Sequence, residues 1–391
     1  MEPVPSVDGG PERVVAAGSR HLRQGSAPAL RTLGVEEEFL LVAPADGRAV
    51  AVGGAVLRAA ESRAEPGVDQ ITGELQREQV ETGTRPCRDL DELGREVRRS
   101  RLAVRRAAGA VGAEPAPLGT SPLPVDPNVS AGARYRAMID TFGLVGHEQL
   151  TCGCHVHVGV ASAQEGVAVL DRIRPWLAPL LALSANSPFW QGADSGYASY
   201  RSQVMGRWPS AGPAERFGSA AGYRDMVRTV LGTDTVLDEG MLYFDARLSR
   251  THPTVEVRVA DICRDGDDAV LVAALVRGLV ETAAREWREG REPDPVRTEV
   301  LRLAAWRAGR SGLGDLLVDP STWRPAPPHV VVGRLLDHVT PALEDSGDLA
   351  TVRELAGVAL RRGTGADRQR AVRDRGGDLG AVVRDATRAL P

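Results

Sequence analysis

Three stretches of the chain alternate charged or ionisable residues with apolar ones: GVEEEF at 34–39, CHVHV at 154–158 and TVEVRVAD at 254–261. A period of two marks a strand whose faces meet different surroundings. Within these strands Glu36 and Glu38 share a side, as do His155 and His157, and Glu256 and Arg258. Val35, Phe39, Val156, Val158, Val255, Val257 and Val259 point the other way, and Glu37 falls with them. If the strands join one sheet, its valine side packs on a core and its other side gathers carboxylates, imidazoles and a guanidinium. Charge buried in that way must be paired, hydrogen-bonded or bound to a cation.

The remaining pattern predicts a first strand over 31–42, a loop entering a helix over 49–62 and a long helix over 88–111. Leu90, Leu93, Val97, Leu102 and Val104 recur near helical spacing, and Arg95, Arg98, Arg99, Arg101, Arg105 and Arg106 read as its solvated face. Glu74, Glu78 and Glu81 would form one stripe if 71–84 were helical. A strand over 149–159 precedes a helix over 165–184 interrupted near Pro175, and then a long connection over 186–222. Connections of that length are uncommon in a compact domain without a functional reason. Segments 241–248 and 254–262 read as an antiparallel pair, and the chain from 268 onward is mostly helical. The order predicts an α+β fold: an antiparallel β-sheet with one polar active face and helices packed on the other. One domain with a helical C-terminal part is expected over 31–390, after a disordered Pro-, Gly-, Ser- and Arg-rich tail over 1–30 that has no apolar run to serve as a signal peptide.

Composition narrows the chemistry. All 48 basic residues are arginine. With no lysine, a P-loop, a pyridoxal Schiff base and the phosphate lysine of a protein kinase are excluded. Any phosphate has to be met by Arg, backbone amides or a metal. The formal net charge of -4 and the 4% aromatic share argue against a nucleic-acid partner. The longest apolar run, 269–276, is too short to span a bilayer. Cys87, Cys152, Cys154 and Cys263 lack disulfide-framework spacing, which favours a reducing cytoplasm. Small molecules are the expected partners, and a homodimer is left open.

Leu33, Val35, Phe39, Leu40 and Leu41 bury the glutamate-bearing strand at both ends, so Glu36 and Glu38 are candidate cation ligands rather than solvated charges. Hard cations such as Mg²⁺ take carboxylate oxygens and keep waters and substrate phosphates. His155 and His157 occupy a face that Cys152 and Cys154 do not, so these four cannot form a zinc site without a bulge. Nor does His147-Glu148 continue into a zincin motif. Glu256 and Arg258 fit either the polar site or a structural network with Asp245 and Arg247. Neither G-x-S-x-G nor G-x-G-x-x-G occurs, which removes the hydrolase-elbow and dinucleotide-fold readings.

Taken in order, GVEEEF, ITGELQREQVETGT, QLTCGCHVHVGV, SANSPFWQGADSGYASYRSQV, YFDARLSRTHPTVEVRVAD and GTGADRQRA make the chain resemble the glutamate-cysteine ligase type 2 family, also called carboxylate-amine ligases, from about residue 32 to 370. The resemblance implies a glutamine synthetase-like catalytic fold. It implies ATP-dependent formation of γ-glutamylcysteine from L-glutamate and L-cysteine, or another amine, through a γ-glutamyl phosphate, with ATP and Mg²⁺ (or Mn²⁺) required. By similarity Glu36, Glu38, Glu81, His155 and Glu256 are metal ligands, with His157 as second choice. Glu36, Glu38 and Arg258 serve the nucleotide; Arg258 meets the transferring phosphoryl group, and Arg201 binds a substrate carboxylate or phosphate. Gln149 and Glu74 match substrate-binding positions. Two other classes stay open on the residues alone: a metal-dependent amidase or hydrolase, and a non-catalytic metabolite-binding relative.

Overall fold

The alternating segments do lie side by side in one sheet. In the computed structural model, which describes residues 30–62 and 71–391, the strands are β1 (Leu33–Val42), β2 (Ile71–Gly73), β3 (Gln79–Gly83), β4 (Glu114–Ala116), β5 (Gly153–Gly159), β6 (Phe189–Trp190), β7 (Ala193–Asp194), β8 (Ala246–Leu248), β9 (Thr254–Asp261), β10 (Leu317–Asp319) and β11 (Arg324–Ala326). Seven of them form an antiparallel sheet in the order β2-β3-β1-β5-β9-β8, with β4 also paired to β1; β6 with β7 and β10 with β11 make two small separate pairs. Except for Leu30, the segment read as a tail lies outside the described residues. Residues Arg31–Pro391 form one compact unit.

Register decides what the polar face contains. Glu38 sits opposite Glu81, Glu36 opposite His155, His157 opposite Glu256, and Glu256 opposite Arg247, so side chains from five adjacent strands meet in a line. Directly opposite residues in an antiparallel pair are within side-chain reach. The other face is apolar: Leu33, Val35, Cys154, Val156, Val158, Val255 and Val257 are buried against the helices Leu90–Gly109, Ala163–Ile173 and Gly266–Arg288. The last of these is buried nearly all round from Ala269 to Val280. It lies between the sheet and the outer helices Pro328–Asp345 and Leu349–Arg362, whose Val332, Leu335, Val339, Val352 and Ala356 join the same core. A helix with no polar stripe needs such burial on both sides. Among the described residues no helix is long and apolar enough to cross a membrane.

Three local expectations are corrected. Arg101 is not on a solvated face: it is 1% exposed and grips Glu37 through two hydrogen bonds of 2.9 and 2.6 Å. Its remaining donors go to the carbonyls of Cys263 and Arg264. Glu37 faces the core because strand alternation puts it there, and the guanidinium compensates its charge; breaking such a pair costs about 3–5 kcal/mol. Residues 71–84 form the hairpin of β2 and β3, not a helix, so Glu74 and Glu81 come together while Glu78 turns away to accept hydrogen bonds from Asn128. Finally, the β5–β9 register shifts between Cys154 and Val156, where Arg258 and Val259 together oppose His155. This bulge gives β9 one extra residue. Beyond it, Ala260 is buried in the core, Val259 packs against it half-buried, and Asp261 turns with the polar set. The interruption near Pro175 is a short 3₁₀ turn, Arg174–Trp176, as its proline requires.

Candidate active site

The polar face floors a cavity of about 640 Å³ lined by Glu36, Glu38, Glu74, Glu81, Gln149, His155, His157, Arg201, Arg247, Glu256 and Arg258, among others. Every residue singled out for the site therefore reaches one space. Within it the ligand atoms of three groups lie within 4.8 Å of one another: Glu36, His157 and Glu256; Glu36, Glu81 and His155; and Glu38, Glu74 and Glu81. Glu36 belongs to two of these groups and Glu81 to two.

Hydrogen bonding aims the side chains. His157 Nδ1 is 2.9 Å from Thr254 Oγ1, which leaves Nε2 facing Glu36 Oε1 at 3.3 Å. His155 stands between Glu36 (3.5 Å) and Glu38 (4.0 Å). His155 Nε2 is buried without a hydrogen-bond partner, which is costly unless something binds it, and His157 Nε2 has Glu36 alone beside it. Glu38 accepts from the Gly153 amide at 2.6 Å. Glu256 is clamped by Arg247 through bonds of 2.8 and 3.1 Å and also contacts Arg258.

Protonation follows from this crowding. Burial pushes Glu74 up to about 7, helped by the negative charge of Glu38. Burial, together with the charges of Glu74, Glu36 and Glu38, drives Glu81 well above the usual carboxylate range. Burial also raises Glu38, against the pull of Arg201. Glu36 behaves oppositely: burial works against its charge, but its two histidine contacts hold it well below the ordinary value. Burial likewise opposes the Glu256 charge, yet Arg258 and Arg247 bring it down to about 2. Burial and the Arg258 charge keep His155 neutral, down to about 4. The face is short of positive charge at its Glu38, Glu74 and Glu81 end and well supplied at its Glu256 end.

Arg201 begins the short helix Arg201–Met205, set in the long connection over 186–222. It is 4% exposed and its Nε lacks a partner. Asp261, missed in the sequence reading, holds this region: its carboxylate accepts from Ser199 and Ser187 at 2.7 Å and from the Asn186 amide at 2.8 Å, with Arg201 3.9 Å away. The bulge in β9 was its only signal, and a sequence does not display a bulge. Gly153 has a steric role. A Cβ there would collide with the Arg201 guanidinium, Cζ lying 2.9 Å away and His155 Nε2 3.0 Å away. Gln149 stands apart from the acidic groups, hydrogen-bonded to Trp208 and Thr151.

Comparison with known proteins shows the family and the fold. The family described as Glutamate-cysteine ligase family 2 (GCS2) matches residues 32–387. A Streptomyces avermitilis protein provisionally named glutamate--cysteine ligase 2-1 is 52% identical over 92% of this chain and 99% of its own length. A Streptomyces coelicolor relative, provisionally named glutamate--cysteine ligase 2, is 54% identical over 90% and 97% respectively. Among solved structures, a glutamate--cysteine ligase from Francisella tularensis in complex with AMP superposes with a TM-score of 0.65 at 13% identity, covering 93% of this chain and 89% of that one. A bifunctional glutathione synthetase from Pasteurella multocida gives a TM-score of 0.65 at 16% identity over 92% of this chain and 52% of that one. At such identities the structures share the fold.

Proposed function

The chain belongs to glutamate-cysteine ligase family 2, and from that premise we propose that it is an ATP-dependent carboxylate-amine ligase joining L-glutamate to L-cysteine or another amine. The observation that carries this reading is the joining of three cation-sized ligand groups to Arg201 and Arg258 in one cavity. In a chain without lysine, that combination is what a triphosphate and a carboxylate need. The AMP named with the Francisella tularensis ligase supports a nucleotide as one occupant.

The carboxylate oxygens suit Mg²⁺ or Mn²⁺, and the imidazole nitrogens beside them are donors that Mn²⁺ accepts more readily than Mg²⁺. Glu36, Glu38, Glu81, His155 and Glu256, joined by Glu74 and His157, would hold such ions, which neutralise phosphate charge when bound. The chain's own groups do the rest. Arg258 presents a fixed positive charge to the transferring phosphoryl group, and Glu256, itself anchored by Arg247, fixes its direction. Arg201 receives a carboxylate or phosphate oxygen on its free Nε. In the reaction a glutamate side-chain oxygen bonds to the γ-phosphorus of ATP and ADP leaves. The amine nitrogen then bonds to the acyl carbon, and the acyl–oxygen bond breaks to release phosphate and, from nitrogen, a proton. Four buried cysteines with no disulfide among them fit a reducing cytoplasm.

Purified protein supplied with Mg²⁺ and ATP should release ADP only when glutamate and an accepted amine are both present. Amide cleavage without ATP would favour the metal-dependent hydrolase instead. Gly153→Ala, by displacing Arg201, should lower kcat/KM about 100-fold with circular dichroism unchanged. Unaltered kinetics would remove the positioning role of the glycine.

The acidic groups also set a pH dependence. Glu74 binds its proton more tightly in the folded chain than the ordinary value near 4.5, up to about 7. In the metal-free protein it therefore subtracts stability as pH rises from the first value toward the second. Cation binding must displace such protons, so it strengthens with pH. The rise in melting temperature on adding Mg²⁺ should accordingly be larger at pH 7.5 than at pH 5.5, as read by differential scanning fluorimetry. An equal rise at both would contradict cation binding at these carboxyls.

A further inference from the structure

A second cavity, of about 670 Å³, is lined by the same arginines. Arg201, Arg258, Met205, Trp208 and Tyr243 line both spaces. The second differs in character. No acidic group of the cation face enters it; its walls include Leu177, Leu181, Phe244 and Trp306, and its one carboxylate is Asp245. The backbone carbonyl of Asp245 accepts from the Arg258 amide at 2.9 Å, which fixes the residue beside the phosphoryl arginine. Among the described residues no side chain hydrogen-bonds or ion-pairs with the Asp245 carboxylate. Burial pushes it up to about 7, although Arg201 and Arg302 pull the other way. The carboxylate thus has charged neighbours but no direct partner, and it is the cavity's one negative group beside Arg201, Arg207, Arg258 and Arg302.

The rim is apolar and open. On the helix Thr298–Ser311, Leu303 is 66% exposed and Trp306 46% exposed, two of the few large hydrophobic side chains left to solvent among the described residues. Both line this cavity. Covering two such side chains takes apolar surface, which a phenyl or branched alkyl group supplies and the side chain of cysteine largely lacks.

Resting on the ligase reading above, we propose that this cavity is the amine subsite, that Asp245 anchors the substrate's ammonium group beside Arg258, and that the preferred substrate is a primary amine carried on an aromatic or branched apolar body. Leu303 and Trp306 then cover that body, and Asp245 selects for the charge. The acyl carbon formed next to Arg201 and Arg258 then lies against residues that line both cavities.

The test uses the full chain with Mg²⁺, ATP and glutamate, and two kinds of acceptor. Hydroxylamine is small and largely uncharged at neutral pH, so hydroxamate formation reports acyl activation without need of an ammonium anchor. Phenethylamine and L-phenylalanine probe the subsite, against cysteine and glycine. The expected result is kcat/KM at least about tenfold higher for the aromatic amines than for cysteine or glycine, the factor that ~1.4 kcal/mol of extra apolar contact gives. In Asp245→Asn the ratio of phenethylamine turnover to hydroxamate formation falls at least about tenfold on the same scale. Trp306→Ala, at an exposed position where folding is safe, raises the KM for phenethylamine more than that for glycine. Preference for cysteine or glycine, or an unchanged ratio in Asp245→Asn with hydroxamate still formed, overturns the subsite alone. Absence of hydroxamate in the parent protein overturns the ligase reading and the subsite with it.

Discussion

Arg258→Ala is expected to lower kcat by about 10²–10³-fold, the loss seen when one preorganised group facing developing charge is removed. The guanidinium lies on β9 at the bulge opposite His155, in contact with Glu256 and lining both cavities. Its loss does not strand Glu256, because Arg247 retains two hydrogen bonds to that carboxylate. The fold should therefore survive, with far-UV circular dichroism unchanged while steady-state ADP release collapses. If Arg258 only balanced Glu256, the variant would keep kcat within a few-fold and lose stability instead. Lysine should restore little, since a point charge cannot span Glu256 and a phosphoryl oxygen as the planar fork does.

Glu36→Gln should be at least as damaging, by on the order of 10³-fold in kcat/KM, if each of the two cation groups that share this carboxylate is worth the 10–100-fold typical of supporting metal interactions or more. Glu36 stays charged where Glu74 and Glu81 tend to hold protons, so it is the member best prepared to meet a cation. The variant should also need several-fold more Mg²⁺ for half-maximal turnover, measured by Mg²⁺ titration of ADP release. A variant with wild-type Mg²⁺ dependence would exclude Glu36 from cation binding, whatever its turnover.

Much of this arrangement was legible in the chain because strand alternation is a strict two-residue rule. Glu36, Glu38, His155 and Glu256 could be assigned to one face without knowing the strand order, and the sheet brings them together. The failures have physical causes. Arg101 occupies a helix position that looks solvated because its partner, Glu37, is 64 residues away on a strand. Glu74 and Glu81 carry helical spacing by coincidence, and only the hairpin turn between them shows that they meet. The β9 bulge alters facing by one residue, which hid Asp261. Pairing across distant segments and register slips are tertiary facts, and periodicity carries neither. The second cavity was equally invisible, since Asp245, Leu303 and Trp306 belong to separate segments.

Activation of glutamate as an acyl phosphate moves one of its side-chain oxygens onto the released phosphate. With Mg²⁺, ATP, an accepted amine and glutamate labelled with ¹⁸O in its side-chain carboxylate, activation through an acyl phosphate requires each released phosphate to carry one labelled oxygen, detected by the isotope shift in ³¹P resonance or by mass spectrometry. Unlabelled phosphate accompanying amide formation would contradict the account.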